Sequence, residues 1–280
     1  MNRRLFLQST AAAAATPLLA LEQAAERIDM NFATGPWPFR DLPKLDAASL
    51  KQRGITHAVT GSLEALLTRD ITAVNARLAS ACKASGGVML PAGTLHPRLP
   101  AWRDDLRRCR EEHGMKVIRL HPNYHGYTLD EPIFAEMLDA IIEAGLAIQI
   151  VAQMEDTRTQ HPLVQAAPVD LKPLPDLLAA RPKARVMVLN SNAAMITTAL
   201  RGCDSLWLDC AMIEGVGGLE NMLKAWPLEK LCLGTHAPFF YPESSLLKLV
   251  ESELTEVQMS LMNTTNAKTF LRSRCHESGK

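Results

Sequence analysis

A single-domain α/β fold, the (β/α)8 TIM barrel, is what this sequence predicts. Short apolar runs alternate with amphipathic segments along the chain, the pattern of parallel strands joined by helical crossovers. Eight such runs fit in about 250 residues, the usual size of the barrel. An open doubly wound sheet would carry a Gly-rich phosphate turn after its first strand, and none follows the first apolar run here.

The predicted strands are residues 28–34, 57–62, 88–96, 116–121, 147–155, 185–190, 206–211 and 231–236. Amphipathic segments at 70–83, 100–112, 132–143 and 174–180 supply crossover helices. No internal repeat or low-complexity linker divides residues 25–280, so one domain is expected there. The longest connection, 156–172, follows the fifth strand and holds Asp156, Arg158 and His161. Loops that follow strands form the catalytic face of such a barrel, so a long polar loop there is a candidate lid or binding loop.

Ahead of the barrel lies a targeting segment. Asn2-Arg3-Arg4-Leu5-Phe6-Leu7 sets a twin arginine before an Ala-rich run that reaches Ala20. This predicts a twin-arginine export signal over residues 1–20, extending to about residue 24, and a periplasmic mature protein. The run is too short and too rich in Ala and Thr to span a bilayer, which takes about 20 apolar residues, so no stable membrane insertion is expected after cleavage. Lys+Arg and Asp+Glu balance at 30 each and aromatics make up 5%. That excludes the basic stripes and stacking surfaces of nucleic-acid binders. Six cysteines show no CxxC spacing, and Cys210 and Cys232 fall in apolar runs as small core residues.

Strand alternation assigns the site. In the fourth strand Val117, Arg119 and His121 share a face opposite Ile118 and Leu120. In the fifth, Gln149, Gln153 and Glu155 oppose Ile148 and Ile150, and in the first, Asp29, Asn31 and Ala33 oppose Met30 and Phe32. Thr94 and His96, Asp209 and His236 continue the pattern. Polar side chains at the ends of many strands predict a polar funnel open to substrate, because each would cost about 1–3 kcal/mol if buried without a partner.

Several segments together resemble the amidohydrolase-related (amidohydrolase 2 type) hydrolases. Asp29-Met30-Asn31-Phe32-Ala33-Thr34-Gly35 stands where that family has Asp-x-His-x-His-x-Gly. Gly35-Pro36-Trp37-Pro38-Phe39-Arg40, Arg119-Leu120-His121-Pro122-Asn123-Tyr124-His125 and the stretch from Gln153 to Pro162 resemble one branch of it. Gly234-Thr235-His236-Ala237-Pro238-Phe239 matches Gly-Ser/Thr-Asp-x-Pro-Phe, with His236 in place of the Asp, and Asn266-Ala267 matches the last helix. The resemblance implies a barrel, often dimeric, that binds a divalent metal through the strand-one His pair, later histidines and the strand-eight Asp. Asn31, Ala33 and His236 stand at three of those places. No metal ligand in the family's arrangement is therefore assigned, and no cofactor is predicted.

Three readings follow. The first is a hydrolase of a small carbonyl compound (a lactone, ester or amide) acting without the usual metal, as the similar pyrone-dicarboxylate lactonase does. His236, His121 and Asp156 are its candidate catalytic residues. Asn31, His96, Arg119, Tyr124, His125, Arg158 and His161 are its candidate binding residues, with the arginines clamping an anionic substrate. The second is an inactive barrel that binds a small anion or a partner. The third is a metal-dependent hydrolase or decarboxylase with a relocated zinc or other divalent ion among His96, His121, His125, His161 and His236. A homodimer stays open.

Overall fold

The computed structural model describes residues 26–272. The export signal predicted over residues 1–20 and Cys275 lie outside the described residues. Eight parallel strands run in sequence order around the barrel: β1 Arg27–Thr34, β2 Ile55–Ser62, β3 Met89–Gly93, β4 Val117–Leu120, β5 Ala147–Val151, β6 Val186–Leu189, β7 Trp207–Asp209 and β8 Leu231–Cys232. Closure of β8 on β1 is made by Met30 N donating to Leu233 O at 2.9 Å and Ala33 N to Ala237 O at 2.8 Å. The (β/α)8 barrel expected from the sequence is the fold observed.

Alternation holds in β4 and β5. Ile118, Leu120, Ile148 and Ile150 face outward onto Phe134, Leu138 and Ile141 of the helix Pro132–Glu143. Val117, Ala147 and Val151 face inward with Met187 and Leu189. Each such apolar side chain removed from water stabilises the fold by about 1.5–3 kcal/mol. Alternation fails in β1. A register shift between Asp29 and Phe32 sets two residues where one would pair. Met30 therefore joins the cluster of Val117, Ala147 and Val151 instead of opposing Asn31.

Several strands end earlier than the apolar runs suggest, because side chains replace the ladder. Thr94 N donates to Asn75 Oδ1 at 2.9 Å, ending β3 at Gly93. After β8, Thr235 N donates to Asp29 Oδ1 at 3.0 Å, and His236 follows at φ 54°, a left-handed conformation that no strand accommodates. Helix starts follow capping chemistry: Asp70 Oδ1 accepts from Ala73 N at 3.1 Å to start Ile71–Ala84, and Asn192 Oδ1 accepts from Met195 N at 3.0 Å to start Ala193–Thr198.

The chain closes under the barrel. Phe270 packs edge-on to Trp207 at the start of β7, and Asn266 Nδ2 donates to Leu228 O and Leu231 O, both at 2.8 Å. The Asn-Ala pair of the last helix is thus a structural staple. The five described cysteines are free and buried. Among the described residues no helix is long and apolar enough to cross a membrane.

Candidate active site

The C-terminal ends of β1, β6, β7 and β8 meet in one hydrogen-bonded network. Asn31 Nδ2 donates to Asn190 Oδ1 at 2.6 Å and to Asp209 Oδ2 at 2.9 Å. Asp209 Oδ1 accepts from Asn190 N at 2.8 Å. Asn190 Nδ2 donates to Gln153 O at 2.8 Å and to His236 Nδ1 at 3.1 Å. His236 Nε2 must carry its proton, because its partner at 2.7 Å is the carbonyl oxygen of Met154. Asn190 and His236 sit at φ 60° and 54°, left-handed conformations worth about 1–2 kcal/mol of strain each, which the network holds in place.

Two carboxylates underlie this network. Asp29 and Asp209 are wholly buried. Asp29 accepts from Asn31 N at 2.9 Å, Thr235 N at 3.0 Å and Thr235 Oγ1 at 2.5 Å. Burial nevertheless raises its pKa to about 6, and burial raises that of Asp209 as well. His236 moves the other way: burial pushes it down to about 4, with Arg119 and Arg40 adding to the shift, so it is a neutral imidazole at pH 7.

Arg119 lies inside the barrel as expected, and it is spent on the fold. Its guanidinium donates to Gln149 Oε1 at 2.9 Å, Phe32 O at 2.7 Å, Val59 O at 2.9 Å and Met30 O at 3.2 Å. Burial lowers its pKa to about 10, against the pull of Asp29 and Asp209. Gly61 makes room for it, since a Cβ there would stand 2.8 Å from Arg119 Nη1.

Three further predicted residues cluster beyond β3 and β4. The rings of His96 and His125 stack at 4.3 Å, and His121 meets His125 edge-on at 6.1 Å. His125 Nε2 donates to Ala65 O at 2.9 Å. His121 differs, because both its ring nitrogens are buried with no hydrogen-bond partner. Burial holds its pKa well below the usual imidazole range. Tyr124 OH and Trp37 Nε1 are buried and unpartnered too.

An aromatic roof covers this end of the barrel. Trp37 packs edge-on against Phe39 at 5.3 Å, Phe239 at 5.4 Å and Tyr124 at 6.4 Å. Phe239 in turn stacks on His236 at 5.3 Å. Beside the roof opens a cleft of about 420 Å³, bordered by Arg40, Gln153, Glu155, Asn192, Glu214 and Phe240 among others.

The loop after β5 divides the remaining predictions. Asp156 and Arg158 form an exposed pair, Nη2 to Oδ2 2.6 Å, which lowers the Asp156 pKa to about 2. Arg158 is 87% exposed, so the structure does not bring it to the barrel centre. His161 is also exposed and lies against Phe39 at 4.9 Å. Sequence reasoning placed weight on these loop residues and none on Asn190, Trp37 or Arg40. The position of Asn190 at a strand end, and the Gly-Pro-Trp-Pro-Phe-Arg segment, were the available signals.

The residues in place of the usual ligands do not fit a divalent ion. Asn31 turns its Nδ2, a donor and no metal ligand, toward Asn190 and Asp209. Ala33 offers no donor atom, and both nitrogens of His236 are taken by Asn190 and Met154. Among the described residues no group of three or more His, Cys, Asp or Glu side chains is disposed to hold a metal. The five histidines weighed for a relocated ion are divided between the His96–His121–His125 cluster, the exposed His161 and the Asn190-bound His236.

Polar side chains thus gather at the C-terminal strand ends of the barrel. No protein-family profile and no curated protein matches the chain. Solved structures share its fold. A 5-carboxyvanillate decarboxylase from Novosphingobium aromaticivorans, with bound manganese and 3-methoxy-4-hydroxy-5-nitrobenzoic acid, superposes with a TM-score of 0.72 at 15% identity, over 89% of this chain and 98% of that one. A 2,6-dihydroxybenzoate decarboxylase from Rhizobium gives 0.69 at 11% identity, over 89% and 98%. An amidohydrolase II gives 0.69 at 13%, over 88% and 99%. At such identities the likeness is one of fold.

Proposed function

We propose that this chain is an amidohydrolase-related barrel enzyme that hydrolyses a small anionic carbonyl compound, a lactone, ester or amide, at the C-terminal mouth of its barrel. The observation that carries the reading is His121, whose two ring nitrogens are buried without a partner. Leaving them so costs about 1–3 kcal/mol each, a cost that a bound ligand or water removes. As a neutral imidazole it offers one donor and one acceptor on opposite sides of the ring, so one nitrogen holds either the carbonyl oxygen or the attacking water. Tyr124 OH and Trp37 Nε1, both in the aromatic roof, are further buried donors without a partner.

The bound nitrobenzoic acid of the Novosphingobium structure supports an anionic ligand class. Its manganese is not carried over, because Asn31, Ala33 and His236 offer no ligand set for it. Twin-arginine export to the periplasm belongs to the same proposal and rests on Arg3 and Arg4.

A second reading, ligand binding without turnover, is favoured by one observation: His236 and Arg119, two groups expected to act on substrate, are fully bonded to the protein. A panel of anionic lactones, esters and amides separates the two. Turnover by the wild type that falls about 100-fold in His121→Ala, with unchanged unfolding, supports the hydrolase. Thermal stabilisation by a panel compound with no turnover supports the binding protein. Stoichiometric divalent metal in the purified protein overturns the metal-free mechanism.

A further inference from the structure

Glu155 is the carboxylate that the cleft holds without using. It borders the same 420 Å³ space as Asp156. Asp156, one residue on, is exposed and closed on Arg158. The Glu155 side chain is only 9% exposed, and its sole ion-pair partner among the described residues is Arg40, Nε to Oε1 at 3.1 Å. The contact is an ion pair and not a hydrogen bond, so neither carboxylate oxygen has a hydrogen-bond partner among the described residues. Arg40 is half exposed, with its guanidinium 5.1 Å above the Phe239 ring, and it makes no other ion pair among the described residues. Burial outweighs Arg40 and raises the Glu155 pKa. The charged and titratable groups around it are Arg40 from the segment after β1, Tyr124 from the turn after β4, Asp156 on its own loop and Glu214 after β7.

A purely structural pair would be expected to close both carboxylate oxygens or to lie in open solvent. Glu155 does neither, and it borders a cleft large enough for a small substrate. We propose that Glu155 is the general base of the hydrolysis and that Arg40, oriented by it, binds the carboxylate of the substrate. The inference rests on the hydrolase reading above.

The step balances without a further reactant. Water oxygen bonds to the carbonyl carbon while Glu155 takes one water proton. As the tetrahedral intermediate collapses, the carbon–oxygen or carbon–nitrogen bond breaks, and the leaving atom takes that proton from Glu155. One water is consumed, nothing is oxidised or reduced, and the carboxylate is restored.

The test compares Glu155→Gln, Glu155→Asp and Arg40→Ala in the full chain, on whichever panel compound the wild type turns over. Glu155→Gln keeps size and shape, so its unfolding midpoint should match the wild type. Its kcat should fall about 100-fold, by more than its KM changes, and the acid limb of the pH–kcat profile should vanish. Glu155→Asp should keep a weakened acid limb. Arg40→Ala should raise KM for anionic substrates by more than it raises KM for an uncharged analogue. A Glu155→Gln kcat within about twofold of wild type, while His121→Ala has lost turnover, overturns the inference and leaves the hydrolase reading standing. No turnover by the wild type on any panel compound overturns that reading and the inference with it.

Discussion

Asn31 and Asn190 are joined directly across the barrel, Nδ2 to Oδ1 at 2.6 Å, so that an amide pair stands where the family resemblance implies a strand-one metal ligand. The same Asn31 nitrogen also reaches Asp209 at 2.9 Å. One side chain therefore ties β1 to the residue after β6 and to the last residue of β7. In a metal-binding barrel an ion would link those strand ends. Here hydrogen bonds do, and His236 completes the set through Asn190 at 3.1 Å.

Asn31→Ala should accordingly be a stability variant. It removes both bonds and leaves the wholly buried Asp209 carboxylate short of a donor. The expected cost is about 2–4 kcal/mol, read from the urea midpoint at constant m-value. A cost within experimental error would show that the network contributes nothing to the fold.

Arg119 gives a second stability prediction, and it corrects an expectation from the sequence. A substrate clamp could be removed without harm to the fold. A guanidinium donating to three main-chain carbonyls and to Gln149 cannot. Arg119→Ala should lower stability by about 3 kcal/mol or more, since the carbonyls stay buried and lose their donors. Equilibrium denaturation checks it, and a native-like midpoint would return Arg119 to the list of ligand-binding groups.

Gly61→Ala tests the same arrangement from the other side. The new Cβ would lie 2.8 Å from Arg119 Nη1 and 3.0 Å from its Cδ. Arg119 cannot yield, because its bonds fix it, so overpacking of about 1–3 kcal/mol is expected. Gly87→Ala is the contrast: its Cβ meets nothing within 4 Å, and only its φ of 89° is penalised. Thermal melts of the two should separate contact from backbone strain.

The barrel was legible in the sequence because its signal is periodic. Apolar runs marked every strand, and alternation placed Arg119 inside β4 and Ile118 outside. Alternation misled in β1, where the shift between Asp29 and Phe32 lets Met30 and Asn31 both contribute to the interior. A bulge leaves no trace in a hydropathy pattern. The site was legible as a set of polar strand ends and no further. Whether a polar group is free depends on partners distant in sequence, as with the Met154 carbonyl that occupies His236 and the Gln149 that helps to hold Arg119. Residue type cannot disclose that, and neither can it disclose that Glu155 faces the cleft while Asp156 pairs with Arg158.

Acid should unfold the protein through its histidines. His96 and His236 are each pushed down to about 4, and His121 and His125 are lowered too, burial being the first cause in every case. A depressed pKa in the folded state means that these groups stabilise fully above about pH 6.5 and lose that contribution as pH falls toward 4. Asp29 runs the opposite way. Its pKa, raised to about 6 in the fold, favours the folded state below the ordinary carboxylate range and loses that advantage as pH rises through 6. Asp209 shifts in the same direction. Asp105 and Glu155 shift with them, whereas Asp104, Asp139 and Asp156 are lowered by their arginines and side with the four imidazoles, which leaves a net loss on acidification. The urea midpoint should therefore drop between pH 7 and pH 4.5, and His236→Gln should drop less over that interval than the wild type. A midpoint that rises on acidification would mean that Asp29 and Asp209 outweigh the histidines.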